Sequence, residues 1–231
     1  MSEIIDGRLS SVAKFVRWGA TFADIGTDHA YLPVFLVTHG VINHAICSDI
    51  NEGPLSNAMA TATEYGVYDK IDFVLTDGAR ALSEYKITDM AICGMGGELI
   101  ADIIEAAPFI KKERVRLILQ PMTRQENLRV YLYENGFSLI DEDYVCESGK
   151  CYIILVAEYT GIIPSDTVSP RVKYGEVSEH ACSAQYEYLC TKKRSKQKAY
   201  NGILAGGKSD CALCEELEYI EELLEKIRSR I

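Results

Sequence analysis

The chain has 231 residues, of which 48% are hydrophobic and 25% charged, so it belongs with ordinary globular proteins of one large domain or one domain plus an appendage. No apolar run reaches the roughly 18 residues of a membrane span, and no basic segment leads into an apolar core at the N-terminus, so a cytoplasmic location without a membrane partner is expected. The net charge of −10 excludes a uniformly basic nucleic-acid-binding face, although a local patch still attracts phosphates within about 8 Å.

In chain order, Thr21 to Ile25 reads as a first strand entering a glycine turn, and Tyr31 to His39 as a helix. Ala45 to Asp49 is a second strand, and Pro54 to Tyr65 a helix with proline at an early position. Ile71 to Leu75 and Met90 to Cys93 are the third and fourth strands, and Glu98 to Ala107 is a helix. Val115 to Leu119 is the fifth strand, and the helix Glu126 to Glu134 ends at Asn135-Gly136, a C-cap signal. Phe137 to Tyr144 and Tyr152 to Tyr159 read as two strands, a hairpin around Ser148-Gly149-Lys150. Alternating strands and helices imply an α/β fold with a parallel sheet covered on both faces. No helix separates the last two strands, so one of them is expected to run antiparallel.

A linker rich in Gly, Pro and Ser, Gly161 to Pro170, separates residues 1–160 from a helical, coiled-coil-like appendage at 161–231. There, His180 to Tyr200 and Cys211 to Ile231 read as an antiparallel helical hairpin broken by Gly202, Gly206 and Gly207. Leu213, Leu217, Ile220, Leu224 and Ile227 recur at spacings of three and four on the second helix. The eight cysteines are expected to be reduced and mostly buried. Only Cys211-Ala-Leu-Cys214 has a metal or redox spacing, and it lacks a second CxxC or a histidine pair. His39, His44 and His180 show no ligand spacing, and no metal is expected.

Several motifs follow strands. In Asp24-Ile-Gly-Thr-Asp-His-Ala-Tyr-Leu-Pro33, an acid ends the first strand and Gly26 permits a sharp turn beneath a ligand. Asp28 and Ala30 stand where a dinucleotide fingerprint carries glycines. A pyrophosphate would be repelled by Asp28, whereas a sulfonium cofactor without phosphates would not, which favours S-adenosylmethionine over NAD. A plain strand–helix turn is the alternative. Asp49, about twenty residues beyond the turn, is placed to accept both ribose hydroxyls of a nucleoside, or to cap a helix. Asp77, followed by Gly78, is placed to meet the adenine amino group, although Asp-Gly is also a turn pair. Cys93-Gly-Met-Gly-Gly97 lets backbone approach a planar base closely. The Asn/Asp-Pro-Pro-aromatic loop that serves exocyclic amines is absent there, so a ring nitrogen is the more natural target. Gln120 and Pro121 could wall a substrate pocket or form a helix-entry turn. Lys192-Lys-Arg-Ser-Lys-Gln-Lys198 carries five positive charges, which suits a phosphate backbone or a solvated helix face. Lys192, Lys193, Arg194 and Arg8 are the RNA-contact candidates, with Lys14 and Arg17 able to extend the patch.

These motifs, with Gly53-Pro54, Leu117-Ile-Leu-Gln-Pro121 and Gly149-Lys-Cys-Tyr152, make residues 5 to 159 resemble the bacterial tRNA (adenine-22-N1)-methyltransferase family. The resemblance implies a Rossmann-like class I methyltransferase sheet with an antiparallel last strand, plus a C-terminal helical hairpin. It implies that Asp24, Gly26, Asp49, Asp77, Gly78 and Met95 surround S-adenosylmethionine; Thr27, His29, Ile50, Gly94 and Gly96, their neighbours in the same motifs, are further cofactor-contact candidates. Asp28 is the implied catalytic residue, accepting a hydrogen bond from the exocyclic amine so that N1 faces the methyl group. The adenine must leave its stack, and Tyr31 could receive it, or could be a core tyrosine. The expected partner is tRNA and the expected state a monomer. A nucleotide-binding oxidoreductase, and a non-catalytic RNA-binding protein with a retained cofactor pocket, remain as alternatives.

Overall fold

The computed structural model describes residues 4–178 and 182–231; His180 and the side chain of Cys182 lie outside the described residues. Asp6 opens a first helix, α1 (Gly7–Ala13), by accepting the Leu9 amide hydrogen at 2.7 Å. Strands and helices then alternate: β1 (Phe22–Ile25), α2 (Tyr31–Thr38), β2 (Ala45–Asp49), α3 (Glu52–Glu64), β3 (Ile71–Leu75), β4 (Asp89–Gly96) and α4 (Gly97–Glu105). They continue with α5 (Phe109–Lys112), β5 (Arg116–Thr123), α6 (Gln125–Glu134), β6 (Phe137–Glu147) and β7 (Lys150–Tyr159).

The seven strands form one sheet in the order β3-β2-β1-β4-β5-β7-β6. β1 to β5 are parallel, and β7 runs antiparallel between β5 and β6. This is the expected Rossmann-like sheet with its reversed last strand. Every residue of β1 is buried, as a central strand covered on both faces requires. Ala23 and Ile25 enter one core and Phe22 the other, following the two-residue period of a strand. α1, α2 and α3 cover the second core, and α4 and α6 the first. The strand order reverses between β1 and β4, which opens a crevice at the carboxyl ends of the strands.

Four strands, β4, β5, β6 and β7, run further than their apolar cores predict. β4 was expected to stop at Cys93, but Met95 and Gly96 still pair with Pro121 and Thr123 of β5. A register shift between Cys93 and Met95 makes this possible, with Gly94 at φ +78°. The hairpin turn Ser148-Gly149 has positive φ at both residues, matching a two-residue connection.

After the linker, α7 (Pro170–Tyr174) begins with the Ser169 cap and Pro170 in its first turn. α8 (Cys182–Ala205) and α9 (Cys211–Arg228) form the expected pair of packed helices. Tyr188 and Leu189 of α8, and Ile220, Leu223, Leu224 and Ile227 of α9, join the same core as Tyr144, Ile153 and Leu155 of the sheet. No described helix is long and apolar enough to cross a membrane.

The expectation of reduced cysteines fails at one pair. The register of β6 and β7 sets Cys146 opposite Cys151, and the two are joined as a disulfide.

Candidate active site

The site is built on the carboxyl ends of β1 to β5. Asp24 sits beside the β1 end, where parallel neighbours on both sides bury it to 9% exposure. Its carboxylate accepts a hydrogen bond from the Thr27 hydroxyl at 2.5 Å. Burial pushes the Asp24 carboxyl up to about 6, although the Thr27 hydroxyl and the Arg8 guanidinium pull it back. Gly26 then turns the chain at φ +73°, and both its amide and that of Thr27 donate to the Ser48 carbonyl. A Cβ on Gly26 would lie 2.0 Å from the Met95 methyl carbon, so the missing side chain is what lets Met95 cross the turn.

Asp28 and His29 follow. The Asp28 carboxylate is 68% exposed, 3.5 Å from His29 Nε2, and accepts a long 3.5 Å hydrogen bond from Asn57 Nδ2. Tyr31, the first residue of α2, is half-exposed rather than part of the core. Its ring stacks on His29 at a centroid distance of 5.0 Å. Asp49 ends β2, where its Oδ1 accepts the Asn51 amide hydrogen at 2.8 Å; Ile50 beside it is exposed. Asp77 is exposed and faces Arg80 at 3.7 Å. Gly78, at φ +62°, accepts the Ser48 hydroxyl hydrogen on its carbonyl at 3.2 Å and packs on Ile103.

Gln120 is fully buried, and its Oε1 accepts from Arg8 Nη1 at 2.9 Å and from the Gly94 amide at 3.1 Å. It therefore ties α1, β4 and β5 together. Pro121, next along β5, is buried, and its carbonyl accepts from Gln125 at 3.2 Å. By sequence, Arg8 is among the candidates for a phosphate-binding surface patch. It lies instead within the site, its side chain 22% exposed and its guanidinium 5.9 Å above the Tyr152 ring.

The basic run on α8 is also largely engaged. Lys192 donates to Gln125 at 2.6 Å and to Glu126 at 3.1 Å. Lys193 pairs with Glu221, and Lys196 with Glu216 at 2.7 Å. These lysines face α6 and α9, so their charge is spent within the fold and not presented as an open strip. Arg194 and Lys198 are exposed, and Arg194 donates to the Cys190 carbonyl and the Thr191 hydroxyl of its own helix. Lys14 pairs with Asp143 at 3.2 Å. Arg17 grips Asp89, the first residue of β4, at the opposite end of the sheet from the site.

Sequence reasoning passed over Asn57 and the joining role of Gln120. Neither has a local signal, because each acts on a segment far away in the chain. What the sheet assembles is a row of four carboxylates, Asp24, Asp28, Asp49 and Asp77, with Arg8 and Arg80 as the cations near them. Such an edge repels a pyrophosphate and suits a cationic nucleoside.

Comparison with known proteins agrees with this chemistry. The family described as Methyltransferase domain matches residues 5–155. The tRNA (adenine(22)-N(1))-methyltransferase of Bacillus subtilis (strain 168) is 39% identical over 159 residues, covering 68% of this chain and 67% of that protein. The structure of Streptococcus pneumoniae Sp1610 in complex with S-adenosyl-L-methionine aligns with a TM-score of 0.81 at 33% identity, over 95% of this chain and 99% of that one. The B. subtilis M1A22 tRNA methyltransferase TrmK aligns with a TM-score of 0.73 at 29% identity, over 97% of both chains.

Proposed function

This chain belongs to the tRNA (adenine(22)-N(1))-methyltransferase family, and from that membership we infer that it transfers a methyl group from S-adenosylmethionine to N1 of adenine 22 in tRNA. The observation that carries the reading in this chain's own residues is the carboxylate row along β1 to β3, with the bare Gly26 turn at its head.

The donor set fits the cofactor. Asp24 supplies a buried negative charge near the start of the row, Asp49 a carboxylate with an oxygen left for vicinal hydroxyls, and Asp77 an exposed acceptor for an amine. Exposed Ile50 offers an apolar surface to one face of a purine, and Met95 with Gly94 and Gly96 a close backbone on the other side. When bound, S-adenosylmethionine supplies the electrophilic methyl of its sulfonium. Adenine N1 is a neutral in-plane nucleophile, so no base has to deprotonate it first. What the chain must do is align N1 and hold negative charge near the developing cation. Asp28 is assigned that task, accepting a hydrogen bond from the exocyclic amine, and the stacked His29 and Tyr31 rings offer a flat surface to an unstacked base. Arg194 and Lys198 are the assigned α8 contacts to the RNA backbone, since Lys192 and Lys193 are already paired.

The test is transfer of labelled methyl from S-adenosylmethionine to unmodified tRNA transcripts, with an adenine-22-to-guanine transcript as control. Label in the first alone is expected. Equal label in both would discard the position and keep the methyltransferase, while none in either would leave only a silent binder.

The raised Asp24 carboxyl carries a second prediction. Below about 6 the group holds its proton, and its charge is lost to a cationic ligand. Cofactor affinity should therefore rise by about tenfold per unit as the pH climbs toward 6 and level off above it. The same shift works against folding. The folded chain binds the Asp24 proton more tightly than the unfolded chain, so this group's contribution to stability falls as pH rises from about 4 to about 6. Titration calorimetry between pH 5 and pH 7 reads the affinity, and Asp24→Asn should flatten the profile. A wild-type affinity independent of pH over that range removes Asp24 from the cofactor site.

A further inference from the structure

A second cluster of ligating side chains lies away from the carboxylate row, at the end of the β6–β7 hairpin. Residues two apart on a strand share a face, so Cys146 points with Tyr144 toward α8, where Tyr144 meets Tyr188 at 5.3 Å between ring centroids. Cys146 Sγ lies 3.5 Å from the Ala184 carbonyl of α8, and Cys151 Sγ 3.9 Å from Glu187 Oε2. The two sulfurs and a Glu187 carboxylate oxygen all lie within 4.8 Å of one another. Two of these groups come from the sheet and the third from a helix more than thirty residues later, so the tertiary fold alone brings them together.

We propose that, once its disulfide is reduced, the Cys146–Cys151 pair and Glu187 form a binding site for a soft divalent cation of the zinc type, which fastens α8 to the β6–β7 hairpin. Thiolate and carboxylate are both zinc ligands, at about 2.3 Å and 2.0–2.2 Å, and four-coordinate geometry places neighbouring ligand atoms roughly 3.5–4 Å apart. The three groups reach that spacing by side-chain rotation once the sulfurs are no longer bonded. A water or a further donor completes the shell. Two thiolates and one carboxylate outweigh the charge of the ion, which favours its capture. The disulfide in the structure is the alternative state, because bonded sulfurs are not thiolates. Reduction by a phosphine breaks the S–S bond and leaves two thiols, the phosphine taking the oxygen of one water. Each thiol then releases its proton as the metal binds. The cluster faces away from the candidate active site, since Tyr152, the neighbour of Cys151, points to the opposite side of the sheet, toward Arg8.

The experiment uses the full chain, reduced with a phosphine and freed of metal, titrated with zinc against a chromogenic chelator and then with cobalt. The expected result is one tightly held ion per chain, a thiolate-to-cobalt charge-transfer band, and a raised thermal midpoint with zinc. Cys146→Ser and Cys151→Ser should each lose about 100-fold or more in affinity, and Glu187→Gln, whose side chain is exposed and not part of the core, should lose about tenfold. The Cys211→Ser/Cys214→Ser double variant should bind like wild type, and the oxidised chain should not bind. Far-UV circular dichroism of each metal-free variant separates lost ligands from lost folding. The proposal is overturned if the reduced chain holds no stoichiometric ion, if the oxidised chain binds equally, or if binding survives Cys146→Ser and Cys151→Ser but disappears with Cys211 and Cys214.

Discussion

Asp28→Ala is expected to bind S-adenosylmethionine with an affinity close to wild type and to lose about 10²–10³-fold in kcat. The reason lies in how loosely the carboxylate is held. Its two neighbours, Asn57 Nδ2 and His29 Nε2, each stand 3.5 Å away, and the side chain is 68% exposed. It is thus open to a group from outside the protein, unlike Asp24, which is buried and bonded to Thr27. The groups assigned to the cofactor, Asp24, Asp49 and the Gly26 turn, are untouched by the substitution. Calorimetry with the cofactor and single-turnover methyl transfer to tRNA separate binding from chemistry. Asp28→Asn, which keeps an acceptor oxygen and removes the charge, should fall between alanine and wild type. Turnover retained in Asp28→Ala would falsify the catalytic assignment, and loss of cofactor binding would move Asp28 to the cofactor site.

Arg129→Met should cost about 3–5 kcal/mol of folding stability. The Arg129 side chain is only 4% exposed, and its Nη1 donates to Glu142 at 2.5 Å while Nε donates to the Val172 carbonyl at 2.7 Å. Tyr144 donates its hydroxyl hydrogen to the other oxygen of Glu142 at 2.9 Å. Removing the guanidinium leaves a largely buried carboxylate without its cation and the Val172 carbonyl of α7 without its donor. Burial and the Glu142 charge hold the Tyr144 hydroxyl far above the usual phenol range, so it stays a neutral hydrogen-bond donor to Glu142 and supplies no positive charge in place of the guanidinium. Urea unfolding of both proteins reads the loss at unchanged denaturant slope. The double variant Arg129→Met/Glu142→Gln should recover much of it, because no charge is then left unpaired. A loss below about 1 kcal/mol would show that water reaches Glu142 and replaces the guanidinium.

The parts of the fold that were legible are those set by neighbours in sequence. All seven strands lie where short apolar runs are expected; β4 to β7 extend where pairing continues past the apolar stretch, as at Met95 and Gly96, while Thr21 and Val115 lie just ahead of β1 and β5. α1 went unnoticed because its seven residues are too few to show a period, although Asp6 ahead of Gly7 is a cap signal. The Cys146–Cys151 pairing depended on the turn length: a hairpin centred on Ser148-Gly149-Lys150 would set Cys146 opposite Tyr152, whereas the two-residue turn Ser148-Gly149 sets it opposite Cys151.

The charged residues divide along the same line. The acids of the carboxylate row lie at or just past the ends of β1, β2 and β3, each near a glycine or a helix start, and both features are local, so their placement on one edge follows from the βα alternation itself. The cations do not follow from it. Arg8 meets Gln120 across 112 residues, and Lys192 meets Gln125 across 67. A run of lysines reads the same whether it faces water, RNA or a neighbouring helix, because the helical period says which residues share a face but not what that face touches. The sheet, the Gly26 turn and the acids along the strand ends therefore follow from local sequence. Only the tertiary structure decided which basic residues are already neutralised, that Arg8 belongs inside the site, and that Cys146, Cys151 and Glu187 converge, because each of these depends on how segments distant in the chain pack together.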